Sequence, residues 1–217
     1  MVAEGAFATG SLGSYCAAAD VLGLLSAYDV ASWGGEDALK ARTLQLLGPT
    51  RRAVDSAAGR DFFHHEHDEI EIDGSGTEVL SLNGSGVSPP VEVTSVALNG
   101  VVLDAQGWRY YGSANSIKLM PNAGVRRFAE GTQNVSVVVS WGYESPPDDI
   151  ALAQAKLAAA QLISELSAEG QAVQALSLGD YTVRYSAEGR YGGEIVRLVS
   201  AAKETIGKHR AMKMVSV

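Results

Sequence analysis

The sequence predicts an α+β protein: a small helical bundle drawn from both chain ends, with an antiparallel β-sandwich or barrel-like domain inserted between them. Three observations predict it. Apolar residues recur at helical spacing before residue 60 and again after residue 148. Between them the period falls to two, with an Asn-Gly pair set among β-branched residues. The switch back to helix is abrupt, at Pro146-Pro147-Asp148-Asp149. The predicted divisions are 1–61 for the first helices, 62–145 for the β domain and 146–217 for the last helices with a basic tail.

The first helix is expected over Ala17 to Ala27, where Val21, Leu24, Leu25 and Tyr28 share a face. Gly34-Gly35 then breaks the chain. A second helical stretch runs from Glu36 to Ala58 with Leu39, Leu44, Leu46, Leu47 and Val54 as its apolar members. Pro49 follows Gly48 inside it, and a proline there predicts a kink or two consecutive helices, because the ring removes a donor and crowds the preceding turn.

Beyond Arg60 the strands begin. Glu69-Ile70-Glu71-Ile72 alternates, Asp73-Gly74-Ser75-Gly76 reads as a turn, and Thr77 to Leu82 as the returning strand. Val91 to Leu98, Asn99-Gly100 and Val101 to Leu103 give a hairpin, since Asn-Gly accepts the positive φ angles of a type I′ turn. Val135, Val137, Val139 and Trp141 alternate with Ser136 and Ser140, which predicts one buried face. Six or seven short strands are expected over 62–143.

Asp148 and Asp149 place negative charge at the start of the next helix. Ile150 to Ser167 is rich in Ala and Leu with no internal Gly or Pro, and so many alanines permit close approach of a neighbouring helix. Gly170 to Gly193 reads as a long irregular segment containing a short extended piece, Tyr181 to Ser186. A last helix, Glu194 to about Ile206, leads into the basic end.

The 217 residues are 46% hydrophobic but only 7% aromatic, so the core must be built largely of Ala, Val and Leu. No run approaches the ~20 apolar residues of a membrane-spanning helix. An acidic residue near the start stands where a signal peptide carries Lys or Arg, which predicts a protein neither secreted nor membrane-bound. The net charge of −8 is uneven. From Ile195 onward Arg197, Lys203, Lys208, Arg210 and Lys213 oppose Glu204 alone, a net of +4, which leaves −12 on residues 1–194. An acidic body does not grip phosphates. A basic end on such a body suits docking to an acidic partner, and equally suits a solvated helix end, where the macrodipole favours Lys and Arg.

Candidate chemistry is sparse. His64-His65-Glu66-His67-Asp68 is the one cluster of metal-ligand types, and strand alternation would put His65 and His67 on one face. No second cluster completes a site, because the remaining histidine is His209; a polar strand edge explains the run better. Asp73-Gly74-Ser75-Gly76-Thr77 lacks the lysine and the strand-to-helix setting of a phosphate loop. No GxSxG elbow occurs. Cys16 lies near a helix start, where a thiol pKa can fall, but with no histidine partner it reads as a small buried residue. Trp33, Trp108 and Trp141 read as core anchors. These observations predict no enzyme, no cofactor and no metal.

Several segments in order resemble the head-tail connector (adaptor) proteins of tailed bacteriophages. They are Tyr15 with Asp20-Val21, Val54-Asp55 with Gly59-Arg60 and Phe62, and Asp73 to Thr77 followed by Leu80 and Leu82. Trp141-Gly142-Tyr143 before Pro147 and Ile150, and Leu178-Gly179-Asp180-Tyr181-Thr182-Val183 before the last helix, complete the set. The resemblance implies a homo-oligomeric ring, about twelvefold, under the portal protein at the head-tail interface of a virion assembled in the host cytoplasm. It implies a stopper or tail-completion protein on the far side, with DNA passing non-specifically through the channel; the −12 on residues 1–194 predicts that the channel wall is acidic. The expected portal-docking tail comprises Lys203, Lys208, His209, Arg210, Met212, Lys213 and Met214. Two features depart from the family: many members are shorter and mostly helical, and Gly48-Pro49 interrupts a helix expected to be continuous. The competing readings are another virion ring, such as a stopper or tail terminator, and a metal-dependent enzyme using His65 and His67.

Overall fold

The computed structural model describes residues 13–28, 34–88, 91–167, 173–178, 181–186 and 191–210. They form two compact units: a helical unit, of residues up to Asp61 with Pro146–Arg210, and a β unit, Phe62–Ser145. The expected class is observed, helices with an inserted antiparallel β domain.

In the helical unit, α1 (Ala18–Leu24) starts where the Asp20 carboxylate accepts the Ala17 N–H at 2.7 Å. It is shorter than the apolar spacing suggests. Helix α2 (Glu36–Ala58) opens on Gly35 and closes on Gly59, whose φ of 72° is the left-handed geometry that ends many helices. Its buried residues Leu39, Thr43, Leu46, Leu47, Thr50, Ala53, Val54 and Ala58 recur every three or four positions, one continuous stripe. Burial raises the pKa of Asp55, although it accepts a hydrogen bond from the Tyr15 hydroxyl and faces Arg51 at 3.7 Å.

Of the two outcomes expected at Pro49, a kink or two consecutive helices, the second does not occur; one helix runs through it. The carbonyls around the proline have side-chain donors. The Thr50 hydroxyl donates to Leu46 O at 2.8 Å, and Gln154 Nε2 donates to Leu47 O at 2.8 Å. With Leu46, Leu47, Thr50 and Val54 all buried on either side, packing outweighs the lost backbone bond.

Helix α3 (Asp148–Ser167) is the centre of this unit. Ile150, Ala153, Gln154, Ala155, Leu157, Ala158, Ala159, Ala160, Leu162 and Ile163 are all buried, so it is covered on several sides, by α1, by α2 and by α4 (Gly192–Lys208). The alanines allow that approach. Between α3 and α4 lies a correction: the expected irregular segment contains a second strand. β8 (Val173–Leu178) pairs antiparallel with β9 (Tyr181–Ser186), from Val173↔Ser186 to Leu178↔Tyr181, and β9 packs on α3 through buried Val183.

The β unit holds β1 (His65–Gly74), β2 (Val79–Ser81), β3 (Val91–Leu98), β4 (Val101–Val102), β5 (Trp108–Tyr111), β6 (Ser116–Leu119) and β7 (Gly131–Trp141). They form a four-stranded sheet, β1-β7-β3-β4, and a three-stranded sheet, β2-β6-β5. Val135, Val137 and Val139 of one sheet and Leu80, Ile117 and Leu119 of the other share a core with Phe128. This is a sandwich, and no barrel closes. The β3–β4 turn is as expected, with Asn99 at φ 51° and Gly100 at 78°.

Two local expectations fail. Asp73 to Thr77 does not turn a hairpin, since β1 pairs with β7 and β2 with β6; the segment carries the chain from one sheet to the other. Phe128 and the crossing segment exchange bonds, Gly76 N–H to Phe128 O and Phe128 N–H to Thr77 O, both at 2.7 Å. Nor do His65 and His67 share a face by alternation. The ladder slips between His65 and Asp68, and His67 has φ 53°.

Candidate functional site

The expected docking tail begins on α4. Ile195, Leu198, Val199, Ala202 and Ile206 form its buried stripe, which leaves the charged residues outward. Arg197 holds Glu194 through Nε to Oε2 at 2.9 Å, and this cation keeps the Glu194 carboxyl below its ordinary pKa. Lys203 is half-buried. Lys208 is exposed, with Nζ 3.2 Å from Glu204 Oε1 one turn earlier.

At the end of the helix, His209 N–H bonds Ile206 O at 3.0 Å and Arg210 N–H bonds Gly207 O at 3.4 Å. The His209 Nε2 atom lies 2.7 Å from Asp149 Oδ2 in the first turn of α3. The structure therefore brings together Lys208, His209 and exposed Arg210 at the end of α4. It fixes the base of the tail to the acidic start of α3. Met212, Lys213 and Met214 lie outside the described residues.

The Asp149 contact is a partner that local sequence patterns miss. Sixty positions separate the two residues, and no local pattern reports such a pairing. The same holds for Arg42 and Glu165, which join α2 to α3 by two bonds of 2.7 Å; Gln161 Nε2 also donates to Glu165 Oε1 at 2.9 Å. Among the described residues, these two contacts tie distant chain segments of the helical unit together.

The histidine run has a structural use. The His65 ring stacks flat on Trp141, with centroids 3.9 Å apart and planes within 5°. The Trp141 indole N–H donates to Asp68 Oδ2 at 2.9 Å. Gly142 follows with φ 86°, and a Cβ there would lie 1.8 Å from Phe63 O. Tyr143 then stacks on Phe62 at 6.1 Å. Trp141-Gly142-Tyr143 thus fastens the last strand of the β unit to its first residues. No group of three His, Cys, Asp or Glu among the described residues is placed to hold a metal ion.

Cys16 is buried, and burial pushes its thiol pKa up to about 12, which leaves it an unreactive thiol at neutral pH. Trp108 and Trp141 pack against the β core as anchors; Trp33 lies outside the described residues. No helix among the described residues is long and apolar enough to cross a membrane.

No protein-family model and no curated protein matches the sequence. Solved structures do match its fold. A chain from the neck of an empty gene transfer agent (GTA) particle, computed with C6 symmetry, is similar over 97% of this chain and 96% of its own, at 18% identity and a TM-score of 0.54. A chain from the virion of the native GTA particle is similar over 96% of both, at 18% identity and a TM-score of 0.50. At this identity the likeness establishes a shared fold.

Proposed function

We propose that this chain is a structural, non-enzymatic ring subunit of the neck of a tailed-phage or phage-like particle, acting as the head-to-tail connector. In this reading identical copies, about twelve, close a ring at the head-tail interface. The portal protein lies on one side and a stopper or tail-completion protein on the other. The ring is built in the host cytoplasm, needs no cofactor or metal, and passes DNA through its channel without reading it.

The observation that carries the proposal is the fold shared end to end with a chain of a GTA neck, helices and inserted sandwich together. Two further features support it. The ligand-like residues His65, Asp68 and Cys16 are consumed by packing and hydrogen bonding. Charge is separated along the chain, −12 before Ile195 and +4 after it. An acidic wall repels phosphates and so suits passage of DNA.

The docking element is the basic end, Lys203, Lys208, His209, Arg210, Met212, Lys213 and Met214. Its cations steer it toward an acidic groove, and its methionines fill irregular apolar pockets. His209, held by Asp149, sets the direction in which the chain leaves α4. Truncation after Ile206 is the test. It removes no residue of the buried stripe of α4, so the protein stays folded and loses portal binding. Undiminished binding by the truncated chain overturns the docking assignment.

A further inference from the structure

We infer that neighbouring copies meet through the β unit, the acidic outer face of the four-stranded sheet of one copy docking on the basic outer face of the three-stranded sheet of the next. This inference rests on the ring reading above and names the surfaces that build the ring.

In a two-layer sandwich the outer faces of the two sheets point in opposite directions. A closed head-to-tail ring needs two different, complementary patches placed in that way. The sequence charges them oppositely. Residues 62–145 carry four Lys or Arg, of which Arg109 and Lys118 lie on β5 and β6, whereas β1 alone carries Glu66, Asp68, Glu69, Glu71 and Asp73.

Register fixes which side chains face outward. Ile70 and Ile72 pair with Val137 and Val135 on the core side, so Glu69 and Glu71, opposite Val138 and Ser136, lie on the outer face. Glu92, opposite Ser140, joins them. All three glutamates are exposed, and the Ser136 hydroxyl donates to Glu69 Oε1 at 2.6 Å, which holds that carboxylate in place. The floor between them is made of Ser95, Ala97, Ser136, Val138 and Ser140.

On the other sheet Leu80, Ile117 and Tyr110 form the core row. The row Val79, Lys118, Arg109 and the residue Tyr111 therefore face outward. Arg109 is exposed, and Tyr111 and Val79 keep 39% and 38% of their surface in solvent. Lys118 is shared with Glu78 at 2.9 Å, which leaves Arg109 as the main cation for an incoming carboxylate. Arg109 set against Glu69, Glu71 and Glu92 is complementary in charge, and Tyr111 and Val79 offer apolar surface beside it. Two like faces repel, so neighbours align in one sense only.

A charge swap tests this. The full chain, an acidic-face variant (Glu69→Lys with Glu71→Lys), a basic-face variant (Arg109→Glu) and an equimolar mixture of the two variants are compared by sedimentation velocity. The wild type self-associates, and each variant alone associates at least about tenfold more weakly because its two faces now carry like charge. The mixture recovers, since each reversed face meets a reversed partner. Recovery also demonstrates that both variants fold. Should either fail to fold, Glu71→Gln and Arg109→Gln replace them, with a shallower salt dependence of association as the expected result. Association of both variants at the wild-type level, or a mixture that stays dissociated, overturns the inference and leaves the ring reading standing. A wild type that remains single both alone and with portal protein added overturns both.

Discussion

The indole of Trp141 lies flat on the imidazole of His65, 3.9 Å away, while its N–H donates to the Asp68 carboxylate. A bulge makes this clamp possible, because residues three apart in β1 reach one ring only when the alternation slips. Trp141→Ala removes stacking, apolar contact and a hydrogen bond together. The expected loss is roughly 2–4 kcal/mol, read from urea unfolding. Adding zinc to the wild type leaves its melting temperature unchanged, whereas a metal-dependent enzyme at His65 and His67 would be stabilised.

Gly142→Ala tests the backbone beside that clamp. A methyl group would sit 1.8 Å from Phe63 O at a φ of 86°, so backbone must move. A loss of about 3 kcal/mol is expected, measured as a lowered urea midpoint with Gly100→Ala, which meets no atom within 4 Å, as the control.

Gln154 is fully buried and joins three segments of the helical unit. Its Oε1 accepts the Tyr15 N–H at 2.7 Å, and its Nε2 donates to Leu47 O at 2.8 Å and Ser14 Oγ at 2.9 Å. Gln154→Leu keeps the volume and removes these hydrogen bonds from a buried site, at a cost of about 1–3 kcal/mol. Gln154→Ala/Thr50→Ala in combination couples non-additively in a double-mutant cycle, because both side chains serve the turn around Pro49.

The Arg42–Glu165 pair sets a pH dependence. The guanidinium holds the Glu165 carboxyl below its ordinary value of 4.5. A depressed carboxylate pKa means stability that is present above 4.5 and is lost as pH falls through the folded value. The pair is partly exposed, so the contribution is below about 1 kcal/mol. Thermal melts from pH 7 down to 3 show a smaller acid-induced drop in Arg42→Met than in the wild type.

Much of the fold was legible in local signals. Asn99-Gly100 marked its hairpin, and the run of apolar and alanine residues after Asp149 marked the central helix, because in both cases neighbouring residues alone decide the structure. Leu80 and Ile70 read alike as strand residues. Their assignment to different sheets depends on β6 and β7, more than thirty positions away, and no local pattern carries that information. At Pro49 the two-helix outcome failed for the same reason, since partners that pack and bond α2 there, Gln154 on Leu47 O among them, arrive from α3. For the candidate docking end, charge was legible and geometry was not. Lys208 and Arg210 were visible as cations; the anchoring of His209 by Asp149 required the fold.

The central claim is that copies of this chain close into a ring. Mass measurement of the full chain in solution, alone and with its portal, tests it most directly. The account predicts one discrete species whose mass is a fixed multiple of the chain, near twelve, at least when the portal is present. A single copy bound per portal assembly, with no larger species at any concentration, would contradict it.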